Sequence, residues 1–169
     1  MAKATREPVD AEAIARKHPA VDALRKRRGR AVLVKPKPPH RGEAAEGHVV
    51  VGYFDYQENK SVVAVVDADA KNVVTVEEVP VSFQLSEEEQ REAETLAASD
   101  ARVIDRLRGR SMNPLTRLYF PRKVAPDARA HRYAIVFLRP TERERYYAVV
   151  DLSANAVVEV LTRDALTGR

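Results

Sequence analysis

The sequence predicts an α+β protein of two tandem repeats, each a helix packed on a curled antiparallel sheet. Three observations carry that prediction. Residues 62–76 (VVAVVDADAKNVVTV) return as residues 146–160 (YYAVVDLSANAVVEV), with eight identities at a spacing that sets Asp67 against Asp151, 84 positions on. Self-similarity at a fixed spacing marks a duplicated supersecondary unit. The Val-rich runs are separated by short polar stretches, as in antiparallel hairpins. A helical stretch precedes each set of strands, the second opening on Ser86-Glu87-Glu88-Glu89. A constant offset of 84 should then superpose residues 48–79 on 132–163, with the two aspartates in the same turn.

Taken in order, residues 9–17 and 19–26 read as two short helices separated at Pro19, a residue tolerated in a first turn but not in a helix interior. Residues 31–35 (AVLVK) read as a strand, and 36–47, with Pro36, Pro38 and Pro39, as a polar loop. Strands follow at 48–56, 61–67 and 72–79, with turns at 57–60 and 68–71. In the second copy the Ser86 hydroxyl can accept from the Glu89 amide while the Glu89 carboxylate reaches back, so a helix starts there and runs to about residue 98. Ser99-Asp100 can cap a shorter helix through Ala101, Ile104 and Leu107, and Asp105-Arg106-Leu107-Arg108 echoes Asp22-Ala23-Leu24-Arg25. Strands resume at 115–121, 132–138, 144–151 and 156–162. The repeats therefore divide as residues 1–80, including a basic N-terminal segment, and residues 81–169.

Alternate side chains of each sheet should meet the helix, but the Val runs at 62–66 and 148–150 leave apolar groups on the opposite face too. Those faces need cover, most simply the sister repeat or a second chain. Val63 and Tyr147 are the outward positions expected to dock a partner.

Composition removes several function classes. With 32% charged residues and no long apolar run, no membrane span is expected. The N-terminus lacks an apolar h-region, so no secretory signal is read and cytoplasmic residence is expected. Without cysteine there is no disulfide, thiolate metal site or thiol nucleophile. His18, His40, His48 and His131 include no pair at metal-ligand spacing. No Gly-x-Ser-x-Gly elbow or Gly-rich phosphate loop is present, so neither a catalytic set nor a cofactor is expected.

The net charge of +4 hides segregation: residues 1–42 carry +8, residues 43–100 carry −11 and residues 101–169 carry +7. The densest cluster is Arg25, Lys26, Arg27, Arg28 and Arg30. It suits an acidic protein partner or nucleic acid, and equally a solvated helix end whose cations complement the dipole. Against nucleic acid stand the absence of a helix-turn-helix or zinc signature and the acidic middle segment. Asp67 and Asp151 each close a strand, where an aspartate commonly caps a turn through its own backbone. That reading is preferred to a pair of catalytic carboxylates.

The second copy, in Arg132-Tyr133-Ala134-Ile135-Val136-Phe137, Tyr146-Tyr147-Ala148-Val149-Val150-Asp151-Leu152 and Ala156-Val157-Val158-Glu159-Val160, resembles the small N-terminal N2 and N3 domains of copper amine oxidases. In that family two successive cystatin-like domains precede a large catalytic β-sandwich. The resemblance implies a free-standing pair of cystatin-like repeats and, as partner, an amine oxidase catalytic chain or a second copy of this one. It does not bring the chemistry. The family's cofactor motif, Asn-Tyr-Asp/Glu-Tyr, is nearest here to Tyr53-Phe54-Asp55-Tyr56, with Phe54 where the modifiable phenol should be, and the copper-binding His-x-His pair is absent. The expectation is a non-catalytic interaction or accessory protein, with nucleic-acid binding through Arg25 to Arg30 as the alternative.

Overall fold

Two four-stranded antiparallel sheets, each in simple sequential strand order, carry the fold. The computed structural model describes residues 10–26, 28–36, 47–110, 114–139 and 144–167. The chain divides into two units, Met1–Phe83 and Gln84–Arg169. Among the described residues no helix is long and apolar enough to cross a membrane.

The first unit runs α1 (Ala11–Ala15), α2 (Pro19–Lys26), β1 (Gly29–Pro36), β2 (His48–Asp55), β3 (Lys60–Asp67) and β4 (Asn72–Val79). Asp10 starts α1 by accepting from the Ala13 amide at 3.0 Å, so the helix is shorter than the composition suggested. Pro19 opens α2, where its missing N–H costs nothing. Arg28, at φ 65°, ends that helix, and Gly29 follows because a Cβ there would lie 2.6 Å from the Leu24 carbonyl oxygen. The helix α1 touches all four strands. Ala11, Ala15, Val21 and Leu24 pack on Val51, Tyr53, Val62, Ala64 and Val66 to form the core.

The second unit runs α3 (Glu87–Ser99), α4 (Ala101–Leu107), β5 (Leu115–Tyr119), a 3-10 turn (Pro126–Ala128), β6 (Tyr133–Leu138), β7 (Tyr146–Asp151), β8 (Ala156–Thr162) and α5 (Arg163–Thr167). The capping box forms as its sequence required: Ser86 Oγ accepts from the Glu89 amide at 3.2 Å, and the Glu89 carboxylate accepts from the Ser86 amide at 2.7 Å. The Glu89 side chain also receives Arg132, whose Nε lies 2.7 Å from it, and both side chains are buried. Asp100 caps α4 through the Arg102 amide at 2.9 Å. From α4 the Arg102 guanidinium donates to the backbone carbonyls of Val157 and Val158 on β8. Like α1, α3 touches every strand of its sheet.

The two units share more than strand order. Asp67 Oδ1 accepts from the Asp69 and Ala70 amides, both at 2.9 Å, and Asp151 Oδ1 accepts from Ala154 at the same distance. Each turn then passes through a left-handed residue, Lys71 at φ 53° and Asn155 at φ 54°. A β-bulge interrupts the following ladder at Val65/Val66 in one unit and at Val149/Val150 in the other. These features all keep the offset of 84. The preceding strand does not. His48 sits opposite Asp67, and Tyr133 sits opposite Asp151, an offset of 85. A slip of one would turn every side chain of β6 to the wrong face, so the connection from β6 to β7 absorbs the difference.

Part of each outer face, turned away from α1 and α3, is covered from within its own unit. In the first, Gly52 lets the Phe83 ring lie against the sheet; a Cβ at Gly52 would stand 2.9 Å from Phe83 Cε2. In the second, α5 lies against β7 and β8, with the Thr162 hydroxyl accepting from Ala165 at 3.5 Å. Segments after β4 and β8 thus supply part of the cover that the Val runs require.

Candidate functional site

A cleft of about 750 Å³ lies on the outer face of the second sheet, within the range of sites that hold small molecules. Its floor follows from strand alternation: Tyr133, Val149 and Asp151, with Glu159 and Leu161 beside them, point away from α3. One wall is the segment 121–128, containing the 3-10 turn. The other is α5, through Ala165 and Leu166.

The first wall is fastened to the floor through His131 and Tyr133. His131 Nδ1 lies 2.7 Å from Asp151 Oδ2, on a carboxylate that is 3% exposed. With Nδ1–H donated to that carboxylate, the imidazole orientation is fixed. The Ala128 carbonyl accepts from the His131 amide at 3.1 Å and from the Tyr133 hydroxyl at 3.0 Å, and the His131 and Tyr133 rings stack with centroids 6.3 Å apart. Burial, and then the negative charge of Asp151, push the Tyr133 phenol up to about 12. Tyr133 therefore stays a neutral donor at ordinary pH. Arg122 and Lys123 line the cleft from the same wall, and with Arg129 they line a second, more open hollow of about 680 Å³.

Asp151 thus does two things. One oxygen caps its turn, as the sequence indicated, and the other anchors His131. Asp67 makes the first contact, and among the described residues no histidine pairs with it as His131 pairs with Asp151. Among the described residues no group of three His, Asp or Glu side chains could hold a metal ion.

The basic cluster is partly gathered and partly dispersed. Arg25 is exposed in the last turn of α2, and Lys26 pairs with Asp22 at 2.7 Å. Arg27 lies outside the described residues. Arg28 and Arg30 both stand over the Tyr56 ring, at 5.5 and 5.4 Å from its centroid. Tyr56 is itself buried, edge-on to Phe54 at 4.8 Å. These two cations pack against the fold as well as facing solvent.

Of the expected docking positions, Val63 is half-buried on the outer face. Tyr147 does face away from α3, but only 7% of it is exposed, with its ring edge-on to Phe137 at 5.3 Å. Alternation assigns a side chain to a face without saying what else lies on that face. The cleft was missed because segment 120–131 has no periodic pattern; the available signal was His131 just before a strand whose partner strand ends in Asp151.

Comparison with known proteins finds no family model that matches the chain and no matching curated protein.

Proposed function

We propose that the chain is a non-catalytic interaction module of two cystatin-like repeats, a free-standing relative of the copper amine oxidase N-terminal domains that acts as a small subunit or partner of a larger oxidase chain. The observation that supports this reading is the duplication. Two helix-on-sheet units carry the same aspartate turn, the same left-handed position and the same bulge, the tandem organisation that the resemblance implies. Phe54 at the cofactor position fits a role without quinone chemistry.

The test is to mix the purified chain with an amine oxidase catalytic chain from the same source and measure complex formation by analytical ultracentrifugation. A stoichiometric complex that persists at moderate salt is expected, with no peroxide release from primary amines by this chain alone. Failure to associate, or copper-dependent amine oxidation by homogeneous protein, would refute the reading.

A second reading, nucleic-acid binding, is favoured by the convergence of Arg28 and Arg30 on one aromatic ring. It requires affinity for duplex or single-stranded nucleic acid that falls steeply with salt, because each neutralised phosphate releases a counterion. Replacing Arg25, Arg28 and Arg30 by Ala should then remove most of the binding. Salt-insensitive or absent binding eliminates it.

A further inference from the structure

We infer that the cleft on the outer face of the second sheet binds a small amphipathic anion, a carboxylate or sulfonate with an apolar body. The inference goes beyond the partner reading and does not depend on it.

Three features point to such a ligand. The cleft's volume is that of a small-molecule site and far exceeds the voids left by ordinary packing. Its polar and apolar parts are separated: Arg122 and Lys123 come from one wall, while Val158, Leu161 and Leu166 offer apolar surface from the floor and the opposite wall. Finally, the space is held in shape. The His131–Asp151 pair and the Tyr133–Ala128 hydrogen bond fasten the cationic wall to the sheet, so little ordering remains to oppose binding.

The charges also limit what the ligand can be. Asp151, already paired with His131, and Glu159 belong to the same cleft. They would repel a polyphosphate, whose several charges cannot all stay beside Arg122 and Lys123. A single anionic head on an apolar body meets the cations without burying a second charge near those carboxylates.

The test uses the full chain and the fluorescent probe 8-anilinonaphthalene-1-sulfonate, an amphipathic monoanion. Saturable binding to the native protein is expected, with displacement by decanoate far more effective than by decan-1-ol. The Arg122→Ala/Lys123→Ala variant, altered only at exposed side chains, should bind about tenfold more weakly, the loss expected for charge-assisted contacts. Ala165→Trp, which places an indole in the cleft from α5, should abolish binding. Arg91→Ala, which removes a cation from the surface of α3, should leave it unchanged. Near-ultraviolet circular dichroism establishes that each variant is folded. No binding by the native protein overturns the inference, as does equal affinity in Arg122→Ala/Lys123→Ala. Equal displacement by the alcohol rules out an anion site, and unchanged binding in folded Ala165→Trp rules out this cleft.

Discussion

Arg132 holds Glu89 through two nitrogens, Nε at 2.7 Å from one carboxylate oxygen and a terminal nitrogen at 3.0 Å from the other. The side chains are 2% and 0% exposed. Since Glu89 also closes the capping box of α3, and Arg132 also donates to the Gln84 carbonyl at 3.0 Å, one ion pair ties the start of the helix to the start of β6.

Removing one partner strands a buried charge. Arg132→Ala should therefore cost about 3–5 kcal/mol, while Glu89→Leu/Arg132→Met, which removes both charges, should cost less than the sum of the single changes. Urea unfolding at constant slope measures this. Additive losses would mean that the two residues do not stabilise the fold as a pair.

The twin aspartates should respond unequally. Asp67→Ala removes turn acceptors near the surface and should cost about 1 kcal/mol. Asp151→Ala removes the same kind of acceptor and also strands His131, so about 2–3 kcal/mol is expected. Asp151→Asn, which keeps an acceptor oxygen for the turn, should fall between them. Thermal unfolding of the three variants under one buffer condition would show equal losses if the His131 contact contributed nothing.

Gly52 and Phe83 should couple. Gly52→Ala introduces a Cβ 2.9 Å from the Phe83 ring, and overpacking of this kind costs about 1–3 kcal/mol. Phe83→Ala alone exposes the sheet. In the double variant the clash is gone, so Gly52→Ala should cost far less in the Phe83→Ala background than in the native one. A double-mutant cycle with no interaction energy would contradict the packing described.

Alkaline pH should unfold the protein in a defined window. Tyr53 and Tyr133 are each pushed up to about 12, mainly by burial. The unfolded chain ionises its tyrosines near pH ~10. For acids whose folded pKa is raised, the stabilisation is intact below pH ~10 and is lost as pH climbs towards ~12, because the unfolded state gives up its protons first. Tyrosinate absorbance should show a late phase that titrates together with unfolding. Tyr53→Phe and Tyr133→Phe should each remove part of that late phase. Complete titration of every tyrosine at the ordinary value in folded protein would exclude it.

Local chemistry was legible in the sequence and long-range pairing was not. Ser86 and Glu89 announce a capping box because both members lie within one turn. Asp67 and Asp151 announce their turns because an aspartate side chain reaches its own backbone two or three residues on. The partner of Glu89 lies 43 residues away, and no local preference identifies Arg132 in place of another arginine. The single-residue slip between β2 and β6 was hidden because Val-rich strands read alike in either register. The Thr162 cap and first-turn Asp164 of α5 were weak signals in a helix of five residues. The cleft itself was illegible, since its cationic wall is an aperiodic segment positioned by the contacts of His131 and Tyr133.

The Arg102 guanidinium on the carbonyls of Val157 and Val158 bears on how the protein behaves when crowded. Open sheets end in strands whose free backbone groups can recruit further strands, and such growth has no natural stopping point. An arginine already seated on two acceptors of the last strand denies them to any newcomer, and its charge makes the approach of another chain's Arg102 unfavourable. Protection of these two edge acceptors comes from α4, in a residue that contributes to neither core nor cleft.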